Sequence, residues 1–504
     1  MVSAPRIRVD VDASLDLTGT VLTYLAVPLC FPLAVAVYYG DPIGPFAAAI
    51  AATLLVGGGM DLLGDEETNL GPREAFLAVA LIWFLVAAVG AIPFVVAGNG
   101  TTASPINALF ESMSGLTTTG GTVFQDFSVH SRSILMWRQL IQWLGGLGIL
   151  ILATAVLSSV GVGGAQLMET ETQTHDMNKL TPKISETARL IWGLYVGITG
   201  LAILVYFSLG LVGLAPNMDL YNAVAHGFTS VATAGFSPEP DSAGAFAPVV
   251  QWAMIPFMLV GSTNFVLLYL FINGQPMRLL RSEEFHFYLG SVAVFTAIVG
   301  SALAVDPTIT FTAEATVRHA LFNIASIITT TGYASTDYTL WSAAGQHMIF
   351  LGMFLGGMVG STTCSIKSLR WLVALKSLRR SLYTSIHPEA VRPVRISDNP
   401  IGEETIRDIY AYLLLSLVIF FALTVFIVVD AQRISGFTVS EFDAMGAAAS
   451  TFLNIGPAFG AAGPFGTYDI FPTSTKVVMI LLMWIGRIEI IPVLVLFTKA
   501  FWTS

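Results

Sequence analysis

Charge is what this sequence has least of. Asp, Glu, Lys and Arg make up 11% of its 504 residues, where a soluble domain carries about 25%. Lysine is scarcest, with six against 17 arginines, and the net charge is −10. No basic tract is present to neutralise phosphates, which argues against nucleic-acid binding. Cysteine is nearly absent as well. Cys30 and Cys364 lie in separate apolar stretches, so they form neither a disulfide framework nor a metal cluster, and buried free thiols are expected. No H-E-x-x-H, G-x-S-x-G or P-loop string occurs, which leaves an enzyme without a nucleophile or a metal-ligand set. No hydrophilic block is long enough to be a separate soluble domain.

Apolar residues fill the chain instead, at 54% of the total. A membrane helix needs roughly 20 mostly apolar residues to cross ~30 Å of hydrocarbon. Runs free of Asp, Glu, Lys and Arg occupy 17–40, 42–60, 75–98, 139–168, 190–218, 242–277, 285–305, 339–366 and 409–429. A tenth, 477–500, is interrupted by Arg487, Glu489 and Lys499. The first run is longer than a signal-peptide core and follows Asp10, Asp12 and Asp16, so it reads as a retained span. The connection 367–395 carries Lys367, Arg370, Lys376, Arg379, Arg380, Arg392 and Arg395 against Glu389 alone. Placing it in the cytoplasm puts both termini there, together with Lys179, Lys183, Arg278 and Arg281. The loop 61–74, with five acids and only Arg73, fits this orientation less well. The basic connection itself reads as mostly solvated and lipid-facing.

After the first two runs, one unit recurs four times: span, short amphipathic segment, glycine-containing turn, span. The short segments are 104–119, 217–234, 312–331 and 440–455. They are too short to cross, and each lies between two span ends on the same side, so each must be re-entrant. Such backbone survives at membrane depth only inside protein or beside water. Ser104-Pro105, Thr312 with Glu314, and Ser440 with Glu441 and Asp443 are start signals for short helices. The segments end in Thr117-Thr118-Thr119-Gly120, Ala232-Thr233-Ala234-Gly235, Thr329-Thr330-Thr331-Gly332 and Leu453-Asn454-Ile455-Gly456. A single string of this kind reads as a glycine helix cap. Four at equivalent places read as a cation site, in which turns aim carbonyl oxygens, threonines add hydroxyls and helix C-termini add partial negative charge. His226 and His319 read as structural, and Glu111 and Arg318 as packing or vestibule residues.

With their spacing, these strings resemble the Trk/Ktr/HKT superfamily of K+ transporters over nearly the whole chain, and the two extra N-terminal spans resemble its TrkH branch. Gln142-Trp143-Leu144-Gly145-Gly146-Leu147-Gly148, Gly261-Ser262-Thr263-Asn264-Phe265, Gly356-Gly357-Met358-Val359-Gly360-Ser361-Thr362 and Gly486-Arg487-Ile488-Glu489 carry the same likeness. The resemblance implies an all-α membrane protein with two N-terminal transmembrane helices (1–70). Four helix–pore helix–filter loop–helix repeats (71–170, 171–277, 278–395 and 396–504) would surround a pseudo-fourfold pore. It implies K+ uptake across the cell membrane and no enzyme activity. The ion would be held at Thr118, Thr119, Gly120, Thr233, Ala234, Gly235, Thr330, Thr331, Gly332, Asn454, Ile455 and Gly456. A serine at the first filter glycine accompanies Na+ preference in that superfamily, so Gly120 favours K+, and Rb+ is expected to pass. A gate is implied at the broken stretch 356–365, with Gly356, Gly357, Gly360, Ser361 and Thr362, and at Arg487, which would hinder the cation. Thr363-Cys364-Ser365 departs from the small residues usual there and puts the gate's flexibility in question. Arg487 is expected to find a partner other than Glu489. No covalently bound cofactor is implied. Nucleotide would act only through a separate cytoplasmic TrkA-like regulatory subunit, and the transporter would be a homodimer in lipid. The alternative is a Na+-conducting or cation-coupled secondary transporter of the same architecture, although the spans nearly lack the intramembrane acids of a proton relay.

Overall fold

The computed structural model describes residues 9–62, 71–152, 184–433 and 438–503. The 170/171 junction, the acids between 63 and 70, and Lys179 and Lys183 lie outside the described residues. Two helices open the chain, α1 (Val11–Tyr39) and α2 (Gly44–Asp61). They cross closely because Gly19 and Gly57 face each other; a Cβ on Gly57 would lie 2.8 Å from the Gly19 carbonyl oxygen. Asp10 caps α1 through the Ala13 amide, and left-handed Gly40 ends it. Outward residues of α1 such as Tyr24, Val27 and Val37 are exposed yet apolar, the pattern of a helix solvated by lipid.

There follow α3 (Pro72–Gly90), α4 (Ile92–Ala97), the short α5 (Pro105–Leu116) and α6 (Arg132–Leu152). Next come α7 (Ile184–Leu211), the short α8 (Leu220–Val231), then α9 (Pro248–Gly261) and α10 (Phe265–Ile272). After α11 (Pro276–Leu280) come α12 (Glu283–Val305), the short α13 (Ala313–Ile328), α14 (Ala343–Gly352) and α15 (Ser368–Ile386). A two-residue hairpin pairs Ile396 with Asn399; its turn residues Ser397 and Asp398 both have positive φ, as a type I′ turn requires. Last are α16 (Glu403–Gln432), the short α17 (Glu441–Phe452), α18 (Thr473–Ile488), α19 (Ile490–Leu496) and α20 (Lys499–Thr503).

The ten apolar runs do not become ten straight helices. Six helices among the described residues are long and apolar enough to cross a membrane, and two further pairs qualify only if each bent pair is one span. The pair α9 and α10 bends by 105°, and α18 and α19 by 115°. The first bend is fixed by Asn264, whose side-chain oxygen caps α10 at the Leu267 amide, 3.0 Å away. The second sits at Glu489, which takes φ 72°. The resemblance implied a break in the second span of the third unit; those of the second and fourth are interrupted as well.

The short helices are buried at their centres, and long helices pack around them. Contact is close at three of the four helix ends because glycine faces them. A Cβ on Gly145, Gly261 or Gly486 would fall within 3.0 Å of the carbonyl oxygens of Leu116, Val231 and Phe452 respectively. These are the last residues of α5, α8 and α17. Thr312 and Ser440 cap α13 and α17 at the Ala315 and Asp443 amides, whereas Ser104 makes no side-chain cap; Pro105 removes one donor there. The apolar positions of Cys30 and Cys364 gave one wrong expectation: Cys364 is buried, but Cys30 is exposed on α1.

Candidate functional site

The four glycine-bearing strings fold alike. The short helices stop at Leu116, Val231, Ile328 and Phe452, earlier than the glycines. The left-handed residues that end them are Thr118, Thr233, Thr330 and Asn454, with φ of 53°, 49°, 50° and 55°. The next amides, of Thr119, Ala234, Thr331 and Ile455, reach back to the carbonyls of Ser114, Thr229, Ser326 and Ser450 at 2.8, 3.0, 2.8 and 2.9 Å. That is the six-to-one hydrogen bond of a Schellman cap. The caps are therefore made two residues before each glycine, by side chains that find this conformation costly, at about 1–2 kcal/mol each. Capping leaves the glycines unexplained. Gly120, Gly235, Gly332 and Gly456 are left-handed a second time, with φ of 82°, 79°, 81° and 111°.

The glycines have a second constraint. A Cβ on Gly120 would fall within 3.0 Å of the Ala234 carbonyl oxygen, on Gly235 of that of Thr331, on Gly332 of that of Ile455, and on Gly456 of that of Thr119. Each turn presses on the next in chain order, and the fourth presses on the first, so the four turns close a ring. All four glycines also line one cavity of about 340 Å³. Among the described residues no cluster of His, Cys, Asp or Glu could hold a metal ion. The ring offers neutral oxygens, a donor set suited to a hard cation held loosely enough to leave again.

Side chains behind the ring hold it. Gln142 donates to the Ala234 carbonyl at 2.6 Å and accepts from the Phe236 amide at 2.9 Å. Asn454 donates to Thr119 Oγ1 at 2.8 Å and to the Met483 carbonyl at 2.9 Å. Ser114, Ser326 and Ser450 each donate at 2.6 Å to a carbonyl of the returning strand, at Gly121, Tyr333 and Gly456. Beside the first turn, Glu111 and Arg138 form a buried ion pair at 2.7 Å, both side chains about 1% exposed or less. Glu111 also accepts from the Val123 amide at 2.9 Å, and the Arg138 guanidinium lies 3.9 Å from the Phe236 ring centroid. Glu111→Ala would strand a buried guanidinium, a loss of ~3–5 kcal/mol. We expect a markedly lower unfolding temperature in detergent, and an unchanged one would refute the structural role. His226 bonds the Asn222 carbonyl and Ser237, and His319 bonds Ser335, as structural histidines do. Burial, with Arg138 adding to it, pushes the His130 imidazole down to about 4, so it stays neutral where it stacks on Phe124.

The loop between α14 and α15 lies against one face of this ring. Thr362 Oγ1 is 2.9 Å from Thr233 Oγ1 and donates to the Gly261 carbonyl at 2.9 Å. The Cys364 amide donates to Thr330 Oγ1 at 3.0 Å. Gly360 has φ 76° and accepts from the Phe265 amide at 3.0 Å, using the bend between α9 and α10. Gly357 sits against Ser262, Gly356 against the Cys364 carbonyl, and Ser361 donates to the Met358 carbonyl at 2.6 Å. Thr363 and Ser365 are anchors too, through Ser262 Oγ at 2.5 Å and the Met353 carbonyl at 2.7 Å.

Arg487, 2% exposed, ties this loop to the fourth and first units. It donates to the Thr362 carbonyl at 2.9 Å, to Cys364 Sγ at 2.7 Å and to the Gly145 carbonyl at 3.0 Å. Its Nε has no hydrogen-bond partner, and none of its described partners is a carboxylate. Glu489 pairs instead with Arg370 at 2.6 Å. The basic run is thus less solvated than its composition suggests: Arg370 is 3% exposed, and Lys376 and Arg380 pair with Glu283 and Glu403. The Glu111–Arg138 pair and Gln142 were not recognised as ring supports in the sequence. The available signal was polar residues on otherwise apolar helices.

The family model described as TrkH, cation transport protein, matches residues 44–503. The chain is 31% identical to a Trk system potassium uptake protein TrkH of Halomonas elongata, over 97% of this chain and 98% of that one. It is 30% identical to a Trk system potassium uptake protein TrkH of Escherichia coli strain K12, over 96% of this chain and 98% of that one. Its structure is similar to the crystal structure of the potassium transporter TrkH from Vibrio parahaemolyticus, with a TM-score of 0.86 at 28% identity, covering 98% of this chain and all of the other.

Proposed function

The chain belongs to the TrkH family of cation transport proteins, a transporter family rather than an enzyme family, and on that premise we propose that it carries K+ into the cell through the ring of four glycine turns. The observation that carries this reading is the closed ring itself. Four glycines, each left-handed and each against the next turn's carbonyl, leave no room for any side chain. A dehydrated K+ needs fixed oxygens in place of water, and backbone carbonyls supply them without a fixed negative charge that would trap the ion.

In this reading the chain is a multi-pass membrane protein of two N-terminal spans and four pore repeats, divided near residues 70, 170, 277 and 395, with both termini in the cytoplasm. Thr118, Thr119, Thr233, Ala234, Thr330, Thr331, Asn454 and Ile455 complete the filter around the glycines. The cavity above the ring faces outward. The loop carrying Gly356, Gly357, Gly360, Ser361 and Thr362 closes the inner side, and Arg487 both latches that loop and repels the cation. A cytoplasmic nucleotide-binding TrkA-like subunit would release the latch, and two copies would form the transporter. Uptake of tracer Rb+ by cells lacking their own K+ uptake systems tests the reading. We expect expression of this chain to restore uptake and growth at low K+. Uptake no greater than with empty vector, with the protein present in the membrane, would overturn it.

A further inference from the structure

We propose that Glu239 is the charge that gathers cations at the mouth of the pathway and so sets the apparent affinity for K+. This rests on the transport reading above but concerns a residue outside the ring. Glu239 is four residues beyond Gly235, at a place where the other turns carry Phe124, Thr336 and Gly460. Among the residues lining the cavity over the four glycines, it is the one carboxylate. Arg138 also lines that cavity, but its charge is answered by Glu111 at 2.7 Å. Asp469, near the same rim, is answered by Lys476 at 3.0 Å. Among the described residues, the Glu239 carboxylate makes no ion pair. Within the cavity lining, Glu239 is therefore the one negative charge that no cation answers.

The backbone holds that charge in place. Pro238 and Pro240 flank Glu239, fixing φ on both sides and restricting Glu239 to extended angles. The Glu239 amide donates to Ser237 Oγ at 3.0 Å, and its carbonyl accepts from the Ser242 amide at 3.1 Å. The Ser237 carbonyl is in turn held by Arg138 at 3.0 Å. A fixed charge in a low-dielectric cleft raises the local cation concentration without contacting the ion in the ring.

The test is tracer Rb+ uptake into proteoliposomes, measured against Rb+ concentration for wild type and for Glu239→Asp, Glu239→Gln and Glu239→Lys. Assays are run at ~10 mM and at ~1 M ionic strength set with an impermeant salt, between which the screening length falls from ~30 Å to ~3 Å. At low ionic strength Glu239→Gln should raise KM by about three- to tenfold and Glu239→Lys by a similar further factor. Glu239→Asp should stay near wild type. The maximum rate should hold across the series, and the KM differences should collapse at high ionic strength. A KM unchanged in Glu239→Gln at low salt, or a shift equal at both ionic strengths, would overturn the inference. Absence of Rb+ flux through the wild-type chain would instead overturn the transport reading.

Discussion

Replacing Arg487 with alanine is expected to raise Rb+ flux through reconstituted protein by about tenfold or more. Two effects act in the same direction. The first is the latch: the guanidinium makes three hydrogen bonds that join Thr362, Cys364 and Gly145. Hydrogen bonds from a charged donor contribute ~1.5–3 kcal/mol each, so losing them shifts the loop toward release, and each 1.4 kcal/mol is tenfold in population. The second is charge: a buried cation with no described carboxylate partner disfavours a second cation nearby. Tracer flux at constant protein density measures the sum. Arg487→Gln separates the parts, since it keeps donors and removes charge; we expect intermediate flux. Lower flux in Arg487→Ala, with a normal amount of folded protein, would refute the barrier role.

Gly120→Ser is expected to reduce K+ over Na+ discrimination by at least about tenfold, which is ~1.4 kcal/mol of differential binding. The residue is left-handed at φ 82°, where a side chain is strained. Its Cβ would also meet the Ala234 carbonyl oxygen, the same oxygen that Gln142 holds at 2.6 Å. The first and second turns must therefore separate, and the oxygens no longer match the larger, more easily dehydrated ion. Competition between tracer Rb+ and unlabelled Na+ in proteoliposomes reads the ratio. An unchanged ratio in a folded, conducting variant would remove Gly120 from the filter.

Much of this was legible along the chain because it depends on local properties. The short helices were expected over 104–119, 217–234, 312–331 and 440–455, and the observed helices lie inside each range. Start signals and apolar periodicity act within a few residues, so they survive without knowledge of the fold. The helix ends were read less well. The strings end at glycine, yet Thr118, Thr233, Thr330 and Asn454 are the residues that cap the helices, because packing on all sides holds a conformation that local preference disfavours. The bends at Asn264 and Glu489 were missed for a related reason. Polar residues mark both places, Ser262-Thr263-Asn264 and Arg487 with Glu489, but such residues also sit in straight helices, and only contacts with distant segments decide that the chain turns there.

By itself, then, the sequence determined that the chain is helical, apolar enough for several membrane spans, and punctuated by four glycine-bearing strings of one kind. Length, hydrophobicity and backbone permissiveness are properties of short stretches. Only the tertiary structure decided that the turns touch in cyclic order and that Arg487 grips residues 125 and 342 positions away. Ring closure is a contact between distant segments, and no local preference encodes which carbonyl lies against which glycine.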